Sequence, residues 1–307
     1  MSRYRKLAVL LLAHGSPNSV DDVPEFLLRV TGGRPLPFEA IKEVSHRYAA
    51  IGKSPLTELT LKQAELLAQE IGMPVYVGMR NWHPFVAQAL GQMQADGIGH
   101  AVVICLAPHN SRTSVGLYRK SLEQSTDPGM TLDFVESWHD QAQLIQAFAE
   151  KLKSGLEQVK LESTKQVPVI FTAHSVPERT VLDGDPYATQ AKQTAALVAA
   201  AAGLQPQDWN FAFQSQGMSG GPWLGPTVEE TITRLKQSGH SGVFMQPIGF
   251  LCDHVEILYD IDILFKKIAE EEGMRLWRAE SLNDAPLLTS ALAQIVRSRT
   301  AALAEVR

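Results

Sequence analysis

Short, unbroken apolar runs recur along this chain with longer helical patterns between them, and this alternation limits its possible folds. The runs Leu7–Ala13, Val75–Met79, Ala101–Ala107 and Leu132–Glu136 form one set. Val167–Ala173, Trp209–Gln214 and Val243–Pro247 form a second, with Arg275–Arg278 as a weaker edge strand. Helical patterns fall between them at Thr57–Ile71, Pro84–Asp96, Gln141–Gln158, Tyr187–Ala202, Thr227–Lys236 and Ala285–Ala304. A strand apolar at every position must be buried on both faces, and helices between such strands do the covering. The predicted fold class is α/β: two Rossmann-like domains with parallel four-stranded sheets flanked by helices.

The two sets echo each other. Leu-Ala-His-Gly-Ser-Pro (12–17) follows the first strand, and Thr-Ala-His-Ser-Val-Pro (172–177) closes the fifth. Gly97–His109 and Ser238–Phe250 likewise share a Gly/His turn, an apolar strand and a proline-containing exit. One α/β unit used twice accounts for both pairs. The boundary is expected in the charged stretch Lys151–Gln166, giving domains of 1–155 and 156–307, with the last helix packing back on the first domain.

Composition removes several classes. A net charge of −5 offers no general attraction to nucleic acid. Arg3, Arg5 and Lys6 before Leu7–Ala13 superficially copy a secretory leader, but the apolar run is short and enters His14-Gly15-Ser16-Pro17 without a cleavage pattern. No stretch approaches the ~20 apolar residues of a transmembrane segment. The two cysteines, Cys105 and Cys252, lie in apolar runs and read as buried thiols of a reducing cytoplasm. Two are too few for an iron–sulfur cluster or a structural zinc site within one chain.

In open parallel sheets, ligands sit beyond the carboxyl ends of the strands. His14, His109, His174 and Phe250 all lie there, so a cleft between the domains is the expected location of function. A neutral imidazole at His174 can accept a proton or bind a borderline metal, or simply satisfy a backbone group. If 249–260 is helical, Asp253, Glu256 and Asp260 share a face and can hold a cation; acids at a solvated helix start give the same pattern. His254 then points away and reads as structural. Trp223, in a Gly/Ser-rich loop, either walls a flat apolar pocket or anchors the loop. There is no GxGxxG, Walker, GxSxG, CxxC or HExxH pattern, which leaves little for nucleotide-binding, hydrolase or redox readings.

Taken together, AHGSP (13–17), RYAAIGKSPL (47–56), LAPH (106–109), AHSVPE (173–178), GDPY (184–187), FQSQG…PWLGP (213–226) and PIGFLCDHVEILYD (247–260) resemble the ferrochelatase family in order and spacing. The resemblance implies insertion of Fe2+ into a porphyrin held between two Rossmann-like domains, in haem biosynthesis, with loss of two pyrrole protons. By its motifs His174 and Glu256 are the catalytic pair and metal ligands. His14, Arg47, Tyr48, Ser54, Tyr118 and Trp223 are porphyrin contacts, the polar ones directed at substrate carboxylates. Coproporphyrin III is favoured over protoporphyrin IX, because the chain is similar to the shorter bacterial enzymes that lack a C-terminal cysteine cluster. It departs from them at three positions. His14 replaces a tyrosine that faces the metal and becomes a possible axial ligand of product haem. Thr31 stands where an arginine is frequent, and Leu264 where a further acid often continues the carboxylate row. The expected protein is a cytoplasmic monomer whose substrates are Fe2+ and porphyrin, with no prosthetic group, no iron–sulfur cluster, no nucleic-acid partner and no transmembrane segment. Two alternatives stay open: a sirohydrochlorin cobalt or nickel chelatase, whose first loop often reads His-Gly-Ser, and a haem or porphyrin carrier without insertion activity.

Overall fold

The computed structural model describes residues 6–125, 129–163, 165–217 and 220–305, excluding the side chains of 303–305. Arg3 and Arg5, Thr164 within the polar stretch, and residues 218 and 219 of the FQSQG…PWLGP motif lie outside the described residues. In chain order the elements begin with β1 (Lys6–Ala13), α1 (Val23–Val30), α2 (Phe38–Ile51), α3 (Leu56–Ile71), β2 (Val75–Met79) and α4 (Val86–Ala95). Next come β3 (Ile98–Cys105), α5 (Val115–Glu123), β4 (Thr131–Val135), α6 (Ala142–Glu162), β5 (Val169–His174) and α7 (Glu178–Leu182). The remainder is α8 (Tyr187–Ala202), β6 (Trp209–Gln214), α9 (Val228–Gln237), β7 (Gly242–Pro247), α10 (Val255–Leu258), a π-helical segment (Asp260–Phe265), α11 (Lys266–Glu271), β8 (Arg275–Arg278) and α12 (Pro286–Glu305).

The expected α/β class is present, as two parallel four-stranded sheets of one topology, β2-β1-β3-β4 and β6-β5-β7-β8. β1 and β5 therefore hold equivalent places, which is the structural basis of the echo between His14 and His174. Each has hydrogen-bonded neighbours on both sides, Leu11 with Val77 and Ile104, and Phe171 with Phe211 and Gln246. Val9–Leu12 and Ile170–Thr172 are wholly buried, so their continuous apolar character reflects helices on both faces. The lysine and apolar run at the N-terminus are thus a central strand. Local signals set the helix ends. Thr227 and Glu230 cap α9 reciprocally, and Gly72 and Gly203 end α3 and α8 in left-handed conformation.

The chain divides into two compact units at places the sequence reading misses. The first comprises 1–108, 114–138 and 283–307; the second comprises 109–113 and 139–282. The predicted boundary at 155/156 falls inside α6, where the polar residues of 151–162 are the solvated face of a helix. Its other face buries Leu144, Ile145, Phe148 and Leu152, and Gly155 lies against Phe244, where a Cβ would come within 2.4 Å of the ring. α6 therefore belongs to the second unit, and the switch precedes it. α12 belongs to the first unit and packs on α3. Its buried residues Leu288, Ala291, Leu292, Ile295 and Val296 follow the spacing of one helix face. Arg297 adds an ion pair to Glu70 at 2.9 Å.

Among the described residues no helix is long and apolar enough to cross a membrane. Because Leu292 is wholly buried, Leu292→Ala is expected to lower unfolding free energy by about 2–5 kcal/mol. Urea denaturation checks this, and an unchanged midpoint would show that α12 contributes little to the first unit.

Candidate active site

The second unit builds its site where β5 ends. Ile248 and Gly249 both donate their amides to the Thr172 carbonyl, at 2.8 and 3.3 Å, which brings the segment after β7 against β5. A Cβ at Gly249 would lie 2.9 Å from the Ala173 Cα, so glycine is the residue that permits this approach. Below it the Thr172 hydroxyl donates to the Gln214 side-chain oxygen at 2.6 Å. The Gln214 amide in turn donates to the Glu256 carbonyl at 2.9 Å. Thr172 and Gln214 are both buried, and the chain of bonds satisfies their side chains.

Glu256 is thereby set between two histidines. Its Oε1 lies 3.2 Å from the His174 Nε2, and its Oε2 lies 2.9 Å from the His254 Nε2. The His174 Nδ1 faces the Ser175 carbonyl, and the His254 Nδ1 faces the Cys252 carbonyl at 3.0 Å. These backbone contacts orient both rings with Nε2 toward the carboxylate. Tyr187 donates to the His174 carbonyl at 2.9 Å. The Phe250 ring stands 6.3 Å from that of His174 and 4.6 Å from that of His254. About a third of the His174 and Glu256 side chains is exposed, so the pair is held by protein yet open to a ligand.

The charges reinforce each other. Burial alone would push the His174 ring down, but the Glu256 carboxylate, the Ser175 carbonyl and the charge of Asp260 lift it above its ordinary value. Burial alone would raise the Glu256 carboxyl, and the two histidines instead hold it well below the usual carboxylate range. The arrangement can take up a proton at His174, keep an anion beside it, and offer nitrogen and oxygen donors to a borderline divalent cation.

The expected row of carboxylates does not form. Helix α10 begins only at Val255, so Asp253 precedes it and accepts from the Ser281 hydroxyl at 2.7 Å, with Arg278 at 3.5 Å. Asp260 is buried and accepts from Ser215, whose φ of 58° is unusual for a residue with a side chain. Glu256 alone of the three meets His174, and among the described residues no cluster of three acidic, histidine or cysteine side chains forms a metal cage. The same early break reverses the reading of His254, which belongs to the site. Leu264 is half-buried against the second unit's core. Cys252 is buried in a loop, whereas Cys105 ends β3. Trp223 stacks its ring over Gly217, where a Cβ would come within 2.7 Å. Its backbone bridges to Pro177 beside the His174 loop. His109 is a core residue: its Nε2 lies 2.9 Å from the Thr194 hydroxyl, and burial pushes its pKa down to about 3.

The first unit carries the other named residues. His14 follows β1; its Nδ1 lies 3.0 Å from the Gly15 carbonyl and its Nε2 3.0 Å from the Asn81 amide. With Nδ1–H donating, the Nε2 lone pair accepts from Asn81. Gly15, at φ +85°, leaves no room for a Cβ against Trp82. Phe26 packs edge-on to His14, Tyr48 and Trp82. Tyr48 is buried with its hydroxyl 3.3 Å from Ser16, and Ser54 is buried beside the start of α3. Arg47 pairs with Glu43 on α2 at 3.1 Å. The Thr31 hydroxyl is turned onto the Leu27 carbonyl of α1. Sequence reasoning missed Arg80, which follows β2 beneath the ring of Tyr118, 5.9 Å from its centroid. Its Nε is buried without an acceptor, a situation that costs about 1–3 kcal/mol for an ordinary donor.

Fold and site define a chelatase-like α/β protein. The solved structure of the sirohydrochlorin chelatase SirB from Bacillus subtilis subspecies spizizenii in complex with cobalt shares the fold, with a TM-score of 0.56 and 11% identity over 95% of this chain and 94% of that one. The ferrochelatase family model matches residues 6–300. A ferrochelatase of Acidobacterium capsulatum is 54% identical over 95% of this chain and 94% of its own. A coproporphyrin III ferrochelatase of Geobacillus thermodenitrificans is 34% identical over 97% of both. The chain belongs to the ferrochelatase family.

The pair's charges give a pH signature. The raised His174 pKa contributes stability that is complete below the imidazole's ordinary 6.5 and fades as pH rises through its folded value. The depressed Glu256 pKa contributes stability that is complete above the carboxyl's ordinary 4.5 and fades as pH falls through its folded value. The difference in urea midpoint between wild type and Glu256→Gln is therefore expected to be largest between pH 4.5 and 6.5. NMR titration of the same variant is expected to show a lower His174 pKa, and an unchanged one would remove Glu256 as its cause.

Proposed function

We propose that this protein inserts Fe2+ into a porphyrin, with His174 and Glu256 as the reacting pair and coproporphyrin III favoured over protoporphyrin IX. The observation that carries the reading is the ionised Glu256 held against the His174 Nε2 at the end of β5. Metal insertion requires a base for the pyrrole protons and a donor that displaces water from the incoming cation. In its neutral form His174 takes the proton on Nε2, and the adjacent carboxylate stabilises the imidazolium that results. Glu256 supplies the anionic oxygen for Fe2+, held in place by the His254 Nε2 on its second oxygen, and the two pyrrole protons pass one at a time through the His174 Nε2 to solvent, which reaches its partly exposed ring.

The preference for coproporphyrin III draws on the named substrate of the Geobacillus relative. It also draws on donors in the first unit suited to carboxylates: Arg47, Tyr48, Ser54 and Tyr118. Trp223 is assigned a wall of the porphyrin site. His14 is assigned the axial position of product haem, which requires the Asn81 amide to release its Nε2. The protein is further proposed to act as a cytoplasmic monomer without a prosthetic group or iron–sulfur cluster, since its two cysteines are buried and too few for cluster ligation.

The test is anaerobic incubation with Fe2+ and, separately, coproporphyrin III, protoporphyrin IX and sirohydrochlorin, followed by visible spectroscopy. Fastest metallation of coproporphyrin III is the expected result. Preference for sirohydrochlorin, or binding without metallation, would replace the reading with a sirohydrochlorin chelatase or a carrier. His174→Ala is expected to abolish turnover, at least about 100-fold as for loss of a general base, while porphyrin binding remains measurable. Asn81→Ala frees the His14 Nε2 and is expected to increase the low-spin fraction of bound product haem; an unchanged spectrum would argue against axial ligation.

A further inference from the structure

Arg80 is a half-buried cation that meets no anion among the described residues. Its guanidinium makes no ion pair among the described residues, and its Nε is buried with no hydrogen-bond partner. Arg278, another half-buried arginine, shows the ordinary solution: Asp262 receives its Nε and Nη2 in a two-pronged pair at 2.8 Å each. Arg80 has in place of a carboxylate only the ring of Tyr118, whose face attracts a cation weakly. Burial lowers its pKa from the ordinary guanidinium value, yet an arginine keeps its charge at any ordinary pH.

Its position is as informative as its isolation. The Arg80 amide donates to the Ala13 carbonyl and the Asn81 amide to the His14 carbonyl, each at 3.0 Å. These bonds fix Arg80 beside His14 at the carboxyl end of the first sheet, where parallel sheets receive ligands. A fold that stores an unpaired guanidinium at such a place, at a cost to its own stability, has a use for it when a ligand is bound.

We propose that Arg80 is a specificity-determining residue that receives a carboxylate of the porphyrin substrate. The assignment rests on the porphyrin reading given above and adds to it a contact drawn from the empty coordination of this side chain. Planar guanidinium and planar carboxylate match two bonds to two, and the contact is strong where water is excluded. Arg80 thus distinguishes porphyrins by charged substituents, and the carboxylate in turn completes a pairing that the free protein lacks.

The test uses the full chain, with Arg80→Met and Arg80→Lys beside the wild type. Binding of coproporphyrin III and of its uncharged tetramethyl ester is followed by porphyrin fluorescence, and melting temperature is recorded without ligand. Arg80→Met is expected to weaken binding of the acid about tenfold or more and to leave the ester unaffected, with Arg80→Lys in between. In turnover, KM for the porphyrin is expected to rise more than kcat falls. The ligand-free Arg80→Met protein is expected to melt no lower than wild type, because it loses an unpaired buried charge. A lower melting temperature with acid and ester weakened alike would make Arg80 structural and overturn the proposal. So would unchanged affinity for the acid in a variant whose wild type metallates porphyrin, and in that case the ferrochelatase reading stands. Wild-type protein that binds no porphyrin overturns both. Inorganic phosphate is the remaining arm: if it raises the melting temperature of wild type but not of Arg80→Met, and porphyrin affinity is equal in the two, the site belongs to a free oxyanion.

Discussion

Thr172 is the residue on which the geometry of the second unit turns. Its carbonyl takes two amides from the segment after β7, and its hydroxyl enters the Gln214 side chain that carries the Glu256 backbone. The end of β6 and the segment from Ile248 to Glu256 are thereby fixed to one position of a central strand, and the His174–Glu256 contact is the outcome. The arrangement depends equally on Gly249, because any side chain there would strike Ala173 and push the segment away from β5. A pair made this way is held by backbone bonds and buried polar groups, which permits a carboxylate and an imidazole to sit close while both stay partly exposed.

The electrostatics follow from that placement. A half-exposed glutamate beside one histidine would be an ordinary ion pair. Glu256 has a histidine on each oxygen, and this lets it stay ionised where burial would otherwise favour protonation. Its charge then lifts His174, assisted by Asp260 from the buried side. Ser215 accepts a left-handed backbone to give Asp260 a hydroxyl donor, so local strain is exchanged for a satisfied buried acid. The late start of α10, with His254 extended before it, serves the same end. A continuous helix through 249–260 would have turned Asp253 and Glu256 to one side and left His254 elsewhere.

Much of this was legible in the sequence, for identifiable reasons. Continuous apolar strands announced parallel sheets, and the repeated His-containing loops announced one unit used twice, because both depend on local patterns of burial. His174 could be singled out from its place at a strand end. The boundary could not be found, because a polar helix face and a linker look alike in composition; α6 carries the charges of 151–162 on its solvated side. Nor could the fate of the three carboxylates, since helical spacing assumes a helix start that the structure delays to Val255. His254 was read as structural and Arg80 was missed for a related reason. What distinguishes each is its partner: the second oxygen of Glu256 for one and, for the other, the lack of a carboxylate among the described residues, and neither is written in spacing.

The repeat has diverged at the same structural position. β1 and β5 are topological equivalents, and each leads into a loop that begins with histidine. At β5 the ring meets a carboxylate with its Nε2 and is biased toward the protonated form. At β1 the ring meets the Asn81 amide, a neutral donor, which requires an unprotonated nitrogen there. The surrounding charges divide in the same sense, with Glu256 and Asp260 beside one ring and the unpaired Arg80 after the strand next to the other. A duplicated scaffold thereby supplies two strand ends of opposite character: one where carboxylates hold a histidine toward its protonated form, and one where amide and guanidinium donors surround a neutral ring nitrogen.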